Sequence, residues 1–149
     1  MIRPWFWMCL MLVVAAPGFA GDLTATDVWI RQPPPGSNAA AYLTLTNRGS
    51  AARSLVGVSC AAAEKAELHE SKVEDGVARM TPVERVEVPA GGATTLAPMG
   101  LHIMLIRPTL PAAGESVELV LELDGGETLS VSAEVRGMGH EAGGGHDHH

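Results

Sequence analysis

The feature of this chain that most constrains its fold is a series of short β-patterned runs separated by turn-forming residues. Helical periodicity is scarce, whereas stretches of alternating apolar and polar side chains recur between Gly, Pro, Asn and Asp. In residues 40–46, for example, Leu43 and Leu45 alternate with polar or aromatic positions before the turn sequence Asn47-Arg48-Gly49. The pattern predicts an all-β Greek-key sandwich or barrel of about seven to nine short strands.

The clearest hairpin in this series is centred on Asp124-Gly125-Gly126, because glycine adopts the positive φ that a tight turn requires. The runs with strand character, besides residues 40–46, are 28–30, 53–58, 65–70, 77–83, 85–88, 93–96, 101–107, 116–123 and 127–135.

The N-terminal residues 1–20 have the pattern of a signal peptide. Arg3 precedes an apolar stretch over residues 5–16, and Gly18 and Ala20 are small residues at the two positions read by a signal peptidase. We expect cleavage after Ala20, export to the periplasm and no membrane insertion after processing. The alternative is an uncleaved N-terminal anchor, which the shortness of the apolar stretch disfavours.

After this cleavage, residues 21–136 would form a single domain with one core, followed by a tail over residues 137–149. Cys9 lies inside the apolar stretch and would be removed, so no lipid attachment site is predicted. Only Cys60 would remain, which excludes an intramolecular disulfide. A small buried thiol is the expected role of Cys60, and an additional metal ligand is the alternative.

The acidic balance of the chain restricts its partners. The whole chain has a formal net charge of -7, and loss of Arg3 leaves 9 basic against 17 acidic residues, a net charge of -8. This charge argues against binding to nucleic acid or to an anionic membrane surface. A cationic cargo, or a basic docking face on another protein, fits better.

Four side chains form the most informative set of candidate ligands: His69, Met80, His102 and Met104. On a strand over residues 101–107, His102 and Met104 project from the same face, about 7 Å apart at Cα. His69 ends one predicted run and Met80 lies in the next. Taken singly, such residues are more often surface or core positions, but thioether sulfur together with imidazole selects Cu(I). The set therefore predicts a Cu(I) site.

The tail is a separate candidate site, because it contains four of the six histidines of the chain. Imidazoles in a glycine-rich segment favour Cu(II) or Zn over Cu(I). The alternative is a low-specificity or merely solubilising tail. The tail residues predicted to bind metal are Met138, His140, His146, His148 and His149.

These residues and their spacing resemble the PCu(A)C family of periplasmic copper chaperones. The resemblance rests on the spacing of the four candidate ligands and on residues 40–47, 55–59, 68–70 and 101–105, and it extends from about residue 28 to residue 135. It implies a cupredoxin-like domain that binds one Cu(I) through His69, Met80, His102 and Met104. It also implies delivery of copper toward the binuclear centre in subunit II of cytochrome c oxidase, alongside Sco-type thiol proteins.

Two other functions remain open at this stage. An electron-transfer cupredoxin needs a thiolate with two histidines, and Cys60 has no histidine and methionine at ligand-loop spacing after it. A metal-sequestering or resistance protein would bind metal mainly through the tail. No nucleophile-and-base motif is present, so we expect a non-enzymatic protein, and we expect a monomer.

Overall fold

The computed structural model describes residues 19–137 of the chain, and within that range it contains eleven β-strands and no helix. The prediction of an all-β domain is confirmed. The strands number more than expected because some are very short. Their bounds are β1 (Phe19–Ala20), β2 (Leu23–Arg31), β3 (Ala39–Asn47), β4 (Arg53–Cys60), β5 (Ala63–Glu74), β6 (Val77–Pro82), β7 (Val86–Val88), β8 (Ala93–Leu96), β9 (Leu101–Pro108), β10 (Ser116–Leu123) and β11 (Thr128–Arg136).

The strands form one continuous sheet in the order β6-β5-β9-β3-β2-β11-β10-β4-β7, with β1 on β2 and β8 on β3. Strands β2 and β11 are parallel, and the other pairs are antiparallel. Neighbours in this order are often distant in sequence, as a Greek-key arrangement requires. The fold is the cupredoxin-like one that was predicted.

A single hydrophobic core lies on the inner face of the sheet. The core is formed by every second residue of the strands. Strand β11 is the clearest example, because buried and exposed residues alternate along its length. The buried members of that strand are Leu129, Val131, Ala133 and Val135. Alternate residues of β3, β9 and β10 join the same core, so the opposite face of these strands is left for other contacts.

Strand β2 is much longer than the run predicted over residues 28–30. Apart from the buried Leu23, its first half consists of small and polar residues, and the register with β3 shifts between Thr26 and Trp29, where Asp27 has a φ of 48°. This irregularity interrupts the alternation of side chains, so the sequence pattern reveals only the second half of the strand.

The hairpin that joins β5 to β6 positions one candidate ligand. Asp75 and Gly76 form its turn with φ values of 51° and 75°, the left-handed conformation that a two-residue hairpin of this kind requires. The turn fixes the register, in which Ser71 lies opposite Met80.

The predicted signal peptide and tail fall almost wholly outside the described residues. Phe19 and Ala20 form β1, which pairs with Thr24 and Leu23 and would be removed by cleavage after Ala20. That cleavage stays a prediction. Among the described residues, no helix is long and apolar enough to cross a membrane.

Candidate metal centre

Two of the candidate ligands are direct partners across neighbouring strands. His69 on β5 lies opposite His102 on β9, with the ring centroids 5.9 Å apart and the ring planes inclined by 45°. Met104 follows His102 by two residues on β9, so it projects from the same face of the sheet. These three side chains share the outer face, away from the core residues Ile103 and Leu105.

Met80 reaches this group from the other side of β5. It lies opposite Ser71, which is two residues from His69, so Met80 and His69 are diagonal neighbours about 7–8 Å apart at Cα. The sheet therefore brings all four candidate ligands to one face of β6, β5 and β9. Their depths differ, because His102 is 3% exposed and Met80 is 61% exposed.

Hydrogen bonds leave one nitrogen of each imidazole free. The Nε2 atom of His69 lies 2.8 Å from Oε2 of Glu67, and Nδ1 of His102 lies 3.1 Å from the carbonyl oxygen of Gly100. Because both partners only accept, these two nitrogens carry the donated hydrogens in the neutral rings. The other nitrogens, Nδ1 of His69 and Nε2 of His102, therefore carry lone pairs.

Both of these lone-pair nitrogens are buried and have no hydrogen-bond partner in the part of the chain that the structure describes. Buried polar atoms are nearly always satisfied, so two such atoms on facing rings call for an explanation. A soft metal ion bound between His69 and His102, with thioether sulfur from Met80 and Met104, would satisfy both. The donor set fits Cu(I).

Glu67 orients the His69 ring. Hydrogen bonds from His69 and then from Lys65 hold the pKa of its carboxyl below the usual range, so the carboxylate is ionised at neutral pH. A carboxylate on the second nitrogen of a ligating histidine fixes the ring and raises its basicity as a ligand. The sequence offers a clue to this role, because Glu67 precedes His69 by two residues on one strand.

Glu70, which adjoins His69 in the sequence, does not hold the His69 ring. Adjacent residues of a strand point to opposite faces, so Glu70 points away from His69. Its carboxylate instead pairs with Nζ of Lys72 at 3.1 Å.

A pocket of about 280 Å³ opens beside the candidate ligands. His102 and Met80 line it together with Met99, which has a φ of 69° in the turn before β9 and is 82% exposed. Met99 is thus a further thioether within this pocket. Arg31 and Tyr42 also line the pocket, and no sequence pattern pointed to them.

Arg31 is held by aromatic rings. Its guanidinium carbon lies 5.7 Å from the ring centroid of Trp29 and 5.9 Å from that of Tyr42, and those two rings are 4.7 Å apart. Its Nε atom is buried and finds no hydrogen-bond partner among residues 19–137. Burial raises the pKa of Tyr42, and the charge of Arg31 opposes that shift. A positive charge thus stands at the edge of the candidate site.

The remaining candidate ligands lie elsewhere. Cys60 is a free thiol at the end of β4, opposite Leu119, and it packs against the core. Within the described range, no three His, Cys, Asp or Glu side chains are grouped so that they could hold a metal ion. The tail candidates lie outside the described residues: Met138, His140, His146, His148 and His149.

Comparison with known proteins gives a family and a set of similar structures. Residues 23–135 match the model of the family described as "Putative lipoprotein LpqE-like". A protein of Leifsonia xyli subsp. xyli, named "Putative lipoprotein Lxx21020", is 31% identical over 123 residues, which are 80% of this chain and 74% of the relative.

Two solved structures share the fold. The copper-bound PCuAC domain from PmoF2 has a TM-score of 0.68 at 21% identity, covering 80% of this chain and 97% of that one. The solution structure of Cu(I)-DR1885 from Deinococcus radiodurans has a TM-score of 0.60 at 34% identity, covering 76% of each chain. The relatives are named as lipoproteins. In this chain Cys9 lies outside the described residues, so the absence of a lipid attachment site stays a prediction.

Proposed function

We propose that this chain, which belongs to the LpqE-like family, is a copper carrier of the PCu(A)C type that binds one Cu(I) through His69, Met80, His102 and Met104. The observation that carries the proposal is a pair of buried ring nitrogens, on His69 and His102, that find no hydrogen-bond partner within residues 19–137. They lie on the sheet face from which the two thioethers also project.

The chemistry of the four donors supports Cu(I) as the cargo. Thioether sulfur is a soft, neutral ligand that suits Cu(I) and has little affinity for Mg, Ca or other hard cations. With neutral imidazoles the bound ion keeps its single positive charge, and the nearby Glu67 carboxylate offsets that charge without ligating. Cu(I)-bound DR1885, at 34% identity, supports the same cargo for this chain.

The uneven depth of the ligands supports a carrier. His102 is buried and would anchor the ion, whereas Met80 is mostly exposed and would be the first ligand that a partner reaches. Copper could then pass to another protein by exchange of one ligand at a time, without release into water. Binding and release require no catalytic group, so the proposed carrier is not an enzyme.

We further propose that the carrier is exported and acts in the periplasm. The signal-peptide pattern of residues 1–20 supports export, and so does the naming of the relatives as lipoproteins. By the family resemblance, the acceptors would be subunit II of cytochrome c oxidase and a Sco-type thiol protein.

The histidine-rich tail supports a second role in the same protein, the capture of Cu(II). The same tail would be the principal site if the chain were instead a metal-sequestering or resistance protein. An electron-transfer role is less well supported, because Cys60 packs against the core and not beside the two histidines.

Anaerobic titration with Cu(I) against a chromophoric chelator tests the proposal. The full chain and a chain that ends at Gly137 should each retain one tightly bound Cu(I), and the His102→Ala variant should lose it. Met99→Leu is the matched control, since Met99 is a methionine of the same pocket outside the proposed ligand set. Loss of all tight copper binding on removal of the tail would favour the sequestering protein and contradict the carrier.

A further inference from the structure

Strand β6 forms an edge of the sheet immediately beside the candidate metal centre. The strand order ends at β6, so among the described strands it pairs only with β5. All of its residues, Val77 to Pro82, are exposed. An exposed edge strand presents unpaired backbone groups that another extended chain can bind.

The register shows which backbone groups face the open edge. The N–H of Val83 donates to the carbonyl of Leu68 at 2.9 Å, and antiparallel pairs alternate between bonded and non-bonded positions. The positions that face away from β5 are therefore Ala78, Met80 and Pro82. They offer two N–H donors and three carbonyl acceptors, because Pro82 has no N–H.

One of these three residues is a proposed copper ligand. The side chain of Met80 projects from the metal-binding face, and its own N–H and C=O point to the open edge. A strand added along β6 would therefore place one residue directly opposite Met80, with its Cβ about 5 Å away and on the same face.

We propose that the protein that accepts copper docks as a short extended segment along β6, with a cysteine or methionine opposite Met80. The inference rests on the proposed function. Transfer then exchanges one sulfur for another: the bond from the partner's sulfur to Cu(I) forms as the bond from Met80 Sδ breaks. Copper remains Cu(I) throughout, and a cysteine donor releases its proton to water.

The neighbouring residues define the segment further. Pro82 ends the row of donors on one side and the Asp75-Gly76 turn ends the strand on the other, so the paired segment is short. Val73 lies opposite Ala78 on the same face as Met80 and is 63% exposed. In the docked segment, an apolar residue two positions from the sulfur-bearing residue would point to the same face and cover Val73 and Ala78.

The docking step can be tested without metal. The probe is a capped synthetic peptide of alternating threonine and valine with one central cysteine, kept reduced, and amide NMR spectra of the full chain report its binding. Binding should shift the Met80 amide resonance and protect that amide from hydrogen exchange. The same peptide methylated on alternate backbone nitrogens cannot donate to the edge, and it should bind about tenfold more weakly, as the loss of one or two hydrogen bonds implies.

A variant of the edge gives a matched comparison. Ala78→Pro removes an outward N–H and leaves the bonds between β5 and β6 intact, whereas Ala78→Val keeps that N–H. The proline variant should bind the unmethylated peptide about tenfold more weakly than the valine variant, at unchanged Cu(I) affinity. Equal binding of both peptides to the unmodified chain would overturn the proposal even if the proline variant failed to fold.

Copper transfer provides the second measurement. Transfer of Cu(I) from the loaded chain to the peptide should be about tenfold faster than transfer to its methylated form. Equal rates would overturn the proposal. A chain that binds no Cu(I) but still docks the peptide would contradict the proposed function and not the docking site. A dimer that is abolished by Ala78→Pro, with no peptide binding, would assign the edge to a second copy and overturn the proposal.

Discussion

His69 and His102 face each other across β5 and β9, and each ring has one nitrogen held by a hydrogen bond and the other buried without a partner in the described chain. The two bonds fix both tautomers, so the free lone pairs exist before any metal binds. Preorganisation of this kind lowers the cost of binding, because the ligands need little reorientation.

Replacement of Met104 by leucine should weaken Cu(I) binding and leave the fold intact. The exchange nearly conserves side-chain volume, so it should cost less than about 1.5 kcal/mol of stability. It removes a sulfur donor, however, so Cu(I) affinity should fall by at least about tenfold. Loss of a residue that merely orients a ligand already costs roughly that much affinity. Competition with a Cu(I) chelator measures the affinity, and unchanged competition would refute a ligand role for Met104.

Glu67 should act on copper through His69. Glu67→Ala removes the hydrogen bond to the ring and should lower Cu(I) affinity roughly 10- to 100-fold, the range found for such supporting carboxylates. Glu67→Gln keeps an acceptor and should have a smaller effect. The matched control is Glu70→Gln, because Glu70 points to the other face and pairs with Lys72. Equal losses in the Glu67 and Glu70 variants would contradict the assignment.

The ionisation of Tyr42 should report the charge of Arg31. The chain contains one tyrosine, so an ultraviolet titration follows this residue alone. Burial raises the pKa of Tyr42 and Arg31 lowers it, so Arg31→Gln should move the titration to still higher pH. Arg31→Lys keeps the charge and should move it less. A downward shift in the glutamine variant would show that the two side chains do not interact as described.

The raised pKa of Tyr42 also predicts a loss of folding stability at alkaline pH. Tyrosine in the unfolded chain ionises near pH 10, and the folded protein has the higher pKa. The stability gained by keeping the phenol neutral is therefore complete below pH 10 and is lost as the pH rises through the folded pKa. Tyr42→Phe should remove this part of the pH dependence in urea unfolding measured across the alkaline range.

Asn47 should be important for stability and not for copper binding. It is 1% exposed; its Nδ2 donates to the carbonyls of Ala51 and Val88 at 2.8 and 3.2 Å, and its Oδ1 accepts from the N–H of Gly49 at 2.9 Å. Asn47→Ala should cost about 2–4 kcal/mol, because it leaves buried groups without partners. Urea unfolding measures this cost, and a loss below about 0.5 kcal/mol, typical of a surface site, would contradict it.

The alternation of side chains along one strand could be predicted from the sequence. It placed His102 and Met104 on one face of β9 and indicated an all-β domain. Pairing between distant strands could not be predicted in the same way. The contact of His69 with His102 depends on a register between β5 and β9 that only the folded sheet fixes. The position of Met80 opposite Ser71 is different, because the two-residue turn at Asp75-Gly76 sets that register locally.

The sequence also did not reveal the roles of Glu67 and Arg31, which depend on the face to which a side chain points or on a contact with a distant residue. Glu70 was the nearer acidic neighbour of His69, but the pleat of the strand gives the supporting role to Glu67. Arg31 comes beside the metal-binding face only because β2 pairs with β3 and carries it next to Tyr42. A basic residue that follows an apolar run carries no sign of such a position.

The central claim is that two imidazoles and two thioethers, from three neighbouring strands, bind one Cu(I). X-ray absorption spectroscopy at the copper edge, on the anaerobically loaded chain that ends at Gly137, tests it most directly. The account predicts one copper per chain, an edge typical of Cu(I), and a first shell of mixed sulfur and nitrogen that loses sulfur in Met80→Leu and Met104→Leu. A first shell of nitrogen and oxygen alone, or one unchanged in both variants, would contradict it.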